Sequence, residues 1–162
     1  MTEQIENQPK VPSFQIQRIY LKGSSLEMPN APSIFLEPGE VQLAFSMSPL
    51  ISSIGDGMFE VVLRGTLTAK LGEKVVYLLE ANQAGIFEIL NIPQEDLDGL
   101  LNVNCVGILA PYIRAYITDT LQRAQVAQFI LPEINWAQVY QDQKQAKAVS
   151  EATATAGESA AV

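Results

Sequence analysis

The chain contains no histidine, a single cysteine (Cys105) and few basic side chains, with 10 Lys+Arg against 18 Asp+Glu in 162 residues. Lack of histidine removes the commonest general base at neutral pH and the commonest metal ligand. One cysteine excludes an intrachain disulfide and a thiolate zinc cluster, and it fits a reducing compartment. A net charge of −8 argues against nucleic acid as a partner, because that needs a basic footprint. It favours basic partners and aids solubility. No run of about 18 apolar residues is present, so no membrane-spanning segment is expected. The opening residues Met1–Lys10 are polar, with Glu3 and Glu6. They lack the basic-then-apolar pattern of a signal peptide, so a cytoplasmic location is the expectation.

What is present is apolar. Hydrophobic residues make up 48% and charged residues only 17%. The length suits one domain with a proper core, and the low charge leaves apolar surface for partners. Residues 1–12 read as a disordered arm closed by Pro9 and Pro12, residues 13–149 as the folded domain, and the Ala/Thr/Glu/Ser/Gly-rich residues 150–162 as a disordered tail.

Four stretches read as strands. The first covers Phe14–Leu26. Phe14 and Ile16 share one parity whereas Ile19 and Leu21 share the other, which predicts a bulge near Gln17-Arg18. Pro29 and Pro32 then impose an extended connector. The second strand, Val41–Met47, alternates cleanly, and Ser48–Gly57 reads as a loop. The third is Phe59–Ala69 and the fourth Val75–Gln83. A three-residue loop Lys70-Leu71-Gly72, with Gly72 left-handed, pairs odd positions with odd. Leu63 and Leu67 then share a buried face with Val75, Tyr77, Leu79 and Ala81. Leu78 and Glu80 fall on the opposite face, which reads either as a docking surface or as a partly covered sheet face.

After Phe87 the period becomes helical. Pro93, Glu95 and Asp96 suit a helix start. The helix looks broken near Gly99–Asn104, and a longer one follows over Leu109–Ala124 with Pro111 in its first turn. Ile113, Tyr116, Ile117 and Leu121 form its apolar stripe, readable as core packing or as a self-association face. Asn135 is placed to cap a last helix, Trp136–Val149.

A search for chemistry finds none that holds together. Gly55-Asp56-Gly57 and Ala84-Gly85 lack the spacing of phosphate-binding glycines. Glu95, Asp96 and Asp98 sit where a helix start favours acids, so a metal site is not expected. The serines have no histidine to activate them. Cys105, among Val103, Val106 and Ile108, reads as a buried, inert thiol. No catalytic residue, metal or cofactor is assigned.

Several segments in register resemble the SecB family of protein-export chaperones. They are Phe14-Gln15-Ile16-Gln17-Arg18-Ile19-Tyr20, Pro29-Asn30-Ala31-Pro32, Glu60-Val61-Val62-Leu63-Arg64 and Leu71-Gly72-Glu73. Gly85-Ile86-Phe87, Ile108-Leu109 with Pro111-Tyr112, and Pro132 with Asn135 complete the series, so the resemblance spans residues 13–147. It implies an α+β fold, a four-stranded antiparallel sheet with a long helix on one face and a C-terminal helix, assembled as a dimer-of-dimers homotetramer. It implies an ATP-independent chaperone, not an enzyme, that keeps unfolded precursor proteins competent for translocation and passes them to the SecA motor ATPase. No nucleic acid and no membrane insertion are implied.

Position by position, the resemblance puts the SecA-docking surface at Glu27, Leu78 and Glu80. Gly23 stands where the family often carries an acid. Leu79, Ala81 and Gln83 match positions to which the family's tetramer is sensitive. Client grooves lined by apolar side chains would bind many unfolded segments weakly. The candidate groove residues are Phe14, Ile16, Tyr20, Phe35, Phe59 and Phe87, each of which also reads as plain core. Two other readings stand beside this one: a SecB-like chaperone dedicated to a toxin–antitoxin system, and a hotdog-type acyl thioester hydrolase. The second needs a carboxylate or histidine near the helix start, where Leu109-Ala110-Pro111 supplies neither.

Overall fold

The computed structural model describes residues 11–158. The expectations for residues 1–10 and 159–162 lie outside them. The elements run β1 (Ser13–Glu27), a 3-10 turn (Ser33–Leu36), β2 (Val41–Gly55), β3 (Met58–Leu71), β4 (Lys74–Leu90), α1 (Gln94–Gly99), a π-helical turn (Leu100–Cys105), α2 (Val106–Ala124) and α3 (Trp136–Glu158). The four strands form one antiparallel sheet in the order β1-β4-β3-β2. The segment 28–40 therefore carries the chain from one edge to the other, passing the β3–β4 turn, where Asn30 Nδ2 donates to the Val75 carbonyl.

Odd-numbered residues of β3 and β4 face α2. Leu63, Leu67, Tyr77 and Phe87 are fully buried there, and so are Leu109, Ile113 and Leu121 of the helix. This apolar interlayer is the core, and it gives the sheet one covered face and one open face. The β3–β4 turn is shorter than expected. Two residues, Gly72-Glu73, make the turn, and a bulge between Ala69 and Lys70 restores odd-to-odd pairing, with Leu67 opposite Leu79. The extra residue is Val76, which joins the core in place of Val75. Gly72 is left-handed, φ +57°, as the sequence requires.

Two strands are longer than their composition suggests. β2 continues through Pro49, opposite Leu63, to Gly55. Proline is tolerated because β2 is an edge strand with no neighbour on its outer side. β4 continues through Ala84-Gly85 to Leu90. Gly85 does not break the strand. A Cβ there would lie 2.8 Å from the Phe87 ring and 3.0 Å from Leu109, so glycine is what lets the helix approach.

The helix is also longer than expected. α1, the π turn and α2 form one continuous run, Gln94–Ala124. The expected break near Gly99–Asn104 is absorbed by the π turn, and the burial of Leu101 and Cys105 outweighs the weak helix propensity of Gly and Asn. Pro111 consequently lies in the helix interior rather than its first turn, and it has no N–H to return to the Gly107 carbonyl. By length and composition this helix could cross a bilayer, which the sequence reading did not anticipate. Val106, Leu109, Ile113, Ile117 and Leu121 are nonetheless buried against the sheet, the pattern of a core helix. Tyr116, expected in the stripe, is half-buried at its edge and donates to Ser24 Oγ at 2.6 Å. α3 begins as expected, with Asn135 Oδ1 accepting from Gln138 N at 3.1 Å. It runs past Val149 to Glu158, so the tail read from Ser150 continues this helix instead.

Two glycine substitutions separate close packing from helix propensity. Gly85→Ala is expected to destabilise by about 1–3 kcal/mol through overpacking. Gly99→Ala, with open space around it, is expected to stabilise by about 0.5–1 kcal/mol. Urea-unfolding midpoints would show the two shifts in opposite directions; shifts in the same direction would refute the assignment.

Candidate functional site

The open face of the sheet is set by bulges in β1. Register shifts fall between Ile16 and Arg18 and between Leu21 and Gly23. The first is the bulge expected near Gln17-Arg18. Each inserts one residue and reverses parity. As a result Phe14, Ile16, Ile19, Leu21 and Leu26 lie on the helix side, opposite Ile89, Phe87, Gly85, Gln83 and Leu79. Tyr20, Gly23, Ser25 and Glu27 lie on the open side, opposite Ala84, Asn82, Glu80 and Leu78.

This register brings Glu27, Leu78 and Glu80 together on the open face. Glu27 sits directly opposite Leu78, and Glu80 follows one step along the same side of β4. Both carboxylates are exposed and Leu78 is half-buried between them. Thr66 and Thr68 of β3 flank the other side, opposite Glu80 and Leu78. The patch is a small apolar centre with an anionic border, suited to a partner that presents an apolar side chain ringed by cations. A Cβ at Gly23 would meet only Asn82 Nδ2, at 3.8 Å, so the open face has room for a side chain there.

On the same face, further along the strands, Glu60 ties β3 to β1 across β4. Lys22, the bulged residue, places Nζ 2.7 Å from Glu60 Oε2. The Tyr20 hydroxyl donates to Glu60 Oε1. The hydrogen bond from Lys22, then that from Tyr20, holds the Glu60 carboxyl below its usual range. Glu60 in turn pushes the Tyr20 phenol up, with burial adding to it.

Leu79, Ala81 and Gln83 have the inward parity expected of them. They are already covered within the single chain, at 1%, 1% and 5% exposure. Gln83 Nε2 donates to the Tyr20 carbonyl at 2.9 Å, which stitches β4 to β1.

The six groove candidates do not form one groove. Phe14, Ile16, Phe59 and Phe87 meet at one end of the helix side, where Phe87 pairs with both Ile16 and Phe59 and stacks on Phe14 at 5.8 Å. Phe87 is completely enclosed, so it is core. Tyr20 lies on the opposite face. Phe35, half-exposed at 53%, lies in the 3-10 turn of the connector. The first bulge in β1 is what turns Tyr20 to the face opposite Phe14 and Ile16, and Phe35 lies outside the sheet altogether.

Sequence reasoning missed a pocket of about 290 Å³ between α2, the segment 125–135 and the β2 edge. Met47, Gly107, Pro111, Arg114, Leu131 and Trp136 line it. Its outer segment is anchored by Leu131, 4% exposed, and by the Tyr77 hydroxyl donating to the Ala127 carbonyl at 3.0 Å. Arg114 Nη1 lies 2.5 Å from Glu133 Oε1, and that bond holds the Glu133 carboxyl low. Arg114 Nε is buried and has no acceptor. No local pattern links Met47 to α2, which is why the pocket was not legible.

Elsewhere, Asp98 accepts from Tyr140 Oη and, at 3.0 Å, from Asn102 Nδ2, which docks α3 on the helix. Among the described residues no group of three or more metal-ligating side chains occurs. Burial pushes the Cys105 thiol up to about 12, in keeping with an inert core cysteine.

Comparison with known proteins decides the family. The SecB family model, described as preprotein translocase subunit SecB, matches residues 7–147. The chain belongs to the SecB family. The protein-export protein SecB of Cupriavidus pinatubonensis is 46% identical over 155 residues, covering 96% of this chain and 90% of the relative. That of Ralstonia nicotianae is 44% identical over 160 residues, covering 97% and 92%. Among solved structures, a Mycobacterium tuberculosis SecB-like chaperone in complex with a ChAD peptide from an antitoxin superposes with a TM-score of 0.62. It is 20% identical and covers 75% of this chain and 90% of its own, so it establishes the fold. SecB is a family of export chaperones and not of enzymes.

The Glu60 network makes stability pH-dependent. Because the folded pKa of Glu60 is depressed, its contribution is present above the usual carboxylate pKa, about 4.3, and is lost as pH falls through the lower folded value. Glu60→Gln is expected to cost roughly 1–2 kcal/mol at pH 7 and to flatten the acid limb of the stability–pH curve. Denaturant titrations across the acid range would check this; an unchanged limb would remove Glu60 from the account.

Proposed function

We propose that this chain is a cytoplasmic export chaperone that holds unfolded precursor proteins without ATP and passes them to SecA. Membership of the SecB family, matched over residues 7–147, carries the reading. Its physical basis is apolar surface on a small domain. Phe14, Ile16, Tyr112 and Ile130 are exposed at 36%, 47%, 49% and 83%. Such surface is costly in a monomer and useful for client chains or for assembly. Weak apolar contacts repeated across subunits would add to useful avidity.

The assembly in this reading is a homotetramer, a dimer of dimers, built from the domain at residues 13–149. Leu79, Ala81 and Gln83 act on assembly indirectly, by setting how α2 lies on the sheet. The SecA-docking surface is Glu27, Leu78 and Glu80 on the open face. Client holding and motor docking then occupy different faces of the sheet. Nothing in the site favours the thioester hydrolase or an antitoxin-restricted chaperone over general export.

Stoichiometric protein is expected to slow refolding of a denatured secretory precursor with no nucleotide present; an unchanged rate would contradict the chaperone reading. Leu78→Arg is expected to weaken binding to SecA at least about tenfold while the refolding delay persists. Gly23→Asp, which adds an acid to the open face, is expected to strengthen that binding a few-fold at low salt. Titration calorimetry with SecA would check both, and unaltered affinity in Leu78→Arg would move the docking surface elsewhere.

A further inference from the structure

We infer that Pro49 keeps the outer edge of β2 from pairing with the β2 edge of a second copy of this chain. β2 is the last strand of the sheet, and it is long, 15 residues from Val41 to Gly55. It holds a single register with β3 from Val41 to Ser53, and its register shift comes only between Ser53 and Gly55. Its body is therefore not bent away from a neighbour. It contains no charged residue. Edge strands are ordinarily protected by charged side chains, bulges, short length or proline. Of these devices the body of β2 has Pro49 alone.

Strand geometry explains how one residue suffices. Successive residues of an antiparallel strand direct their N–H and C=O alternately to its two sides. Pro49 is paired with Leu63 but has no N–H, which places it in the set that faces outward. Leu43, Phe45, Met47, Ile51 and Ser53 share its parity and present the unpaired backbone groups. A second β2 running antiparallel across this edge would set Pro49 against Pro49. That central pair should exchange two hydrogen bonds and can make neither, and the two rings meet where the N–H groups belong. Any long register includes both prolines.

A second copy is the partner this edge fits, because the edge complements itself. Centred on position 49, the antiparallel match sets Met47 opposite Ile51 on the helix side and Ser46 opposite Ser52 on the open side, with no opposed charge. The position of Pro49 along the strand matters as well. On one side of it, Phe129 of the segment 125–135 stacks on Phe45 at 5.3 Å, and Leu131 shares a pocket with Met47. On the other side no such segment packs, and Leu50 and Ile54 are exposed. Pro49 stands at the start of the barer stretch and leaves it too short to hold two folded copies together.

The test restores the missing donor. In sedimentation velocity, Pro49→Val is expected to raise the weight-average mass at least about twofold over the unmodified protein, because a two-fold edge contact doubles whatever unit bears it. The rise grows with concentration. Pro49→Ala, which returns the N–H without added bulk, is expected to act the same way more weakly, and it decides the matter should the valine variant fold poorly. Adding Leu50→Lys to Pro49→Val is expected to bring the mass back to that of the unmodified protein, since two ammonium groups then lie diagonally across the contact. In the unmodified protein, the Met47 and Ile51 amides are expected to exchange with solvent faster than those of Ser48 and Ser52, which bond to β3. Unchanged mass in both Pro49 variants would overturn the proposal. So would added mass that Leu50→Lys leaves in place, since the contact would then lie elsewhere. Slow exchange at Met47 and Ile51 in the unmodified protein would overturn it too, because the edge would already be covered.

Discussion

Burial of one helix against one side of a four-stranded sheet is the constraint from which the rest of the molecule follows. Leu109, Ile113, Ile117 and Leu121 press on the odd-numbered residues of β3 and β4, and every one of them is at most 1% exposed. Full burial of such a side chain is worth roughly 1.5–3 kcal/mol, so this interlayer dominates stability. Its geometric consequence matters as much. With one face covered, the identity of every residue on the other face is decided by strand parity.

Parity around the patch is in turn controlled by three of the sheet's four register shifts, the fourth lying between Ser53 and Gly55 at the end of β2. Those at Gln17 and Lys22 in β1 and at Val76 in β4 each reverse the side on which later residues emerge. The Val76 bulge is why Leu79 and Ala81 lie beneath the helix while Leu78 and Glu80 face outward. The Lys22 bulge brings an ammonium to Glu60 and aligns Glu27 with Leu78. Local irregularities thus position the anionic patch, and the Tyr20–Glu60–Lys22 bonds hold that register. Such placement matters in a family of export chaperones, because contact with other chains depends on which side chains share a face.

The sheet and the outward placement of Leu78 and Glu80 were legible because their residues alternate, whereas Glu27 was placed by the resemblance alone. Leu78 and Glu80 emerge on the open face as parity predicted, because the Val76 bulge offsets the shorter Gly72-Glu73 turn. The ends of elements were not legible. Pro49 fell in a stretch read as a loop and Gly85 beyond the expected end of β4 at Gln83, yet an edge position and the approach of Leu109 make both acceptable within strands. Gly99, Asn102 and Asn104 read as a helix break, yet burial of Leu101 and Cys105 overrides them. The pocket between Met47, Arg114 and Trp136 was invisible because it joins segments far apart in sequence. Phe87 and Tyr20 were both groove candidates although they lie on opposite faces, because aromatic character says nothing of face.

The two-faced sheet can be tested with thiol labelling, since the native Cys105 is fully buried. Cysteine is introduced singly at Leu78 and at Leu79, neighbours on β4, and maleimide modification is followed in the folded protein. The account predicts modification at position 78 close to the rate of a free thiol, and protection at position 79 until denaturant unfolds the chain. Equal rates at the two positions would contradict it.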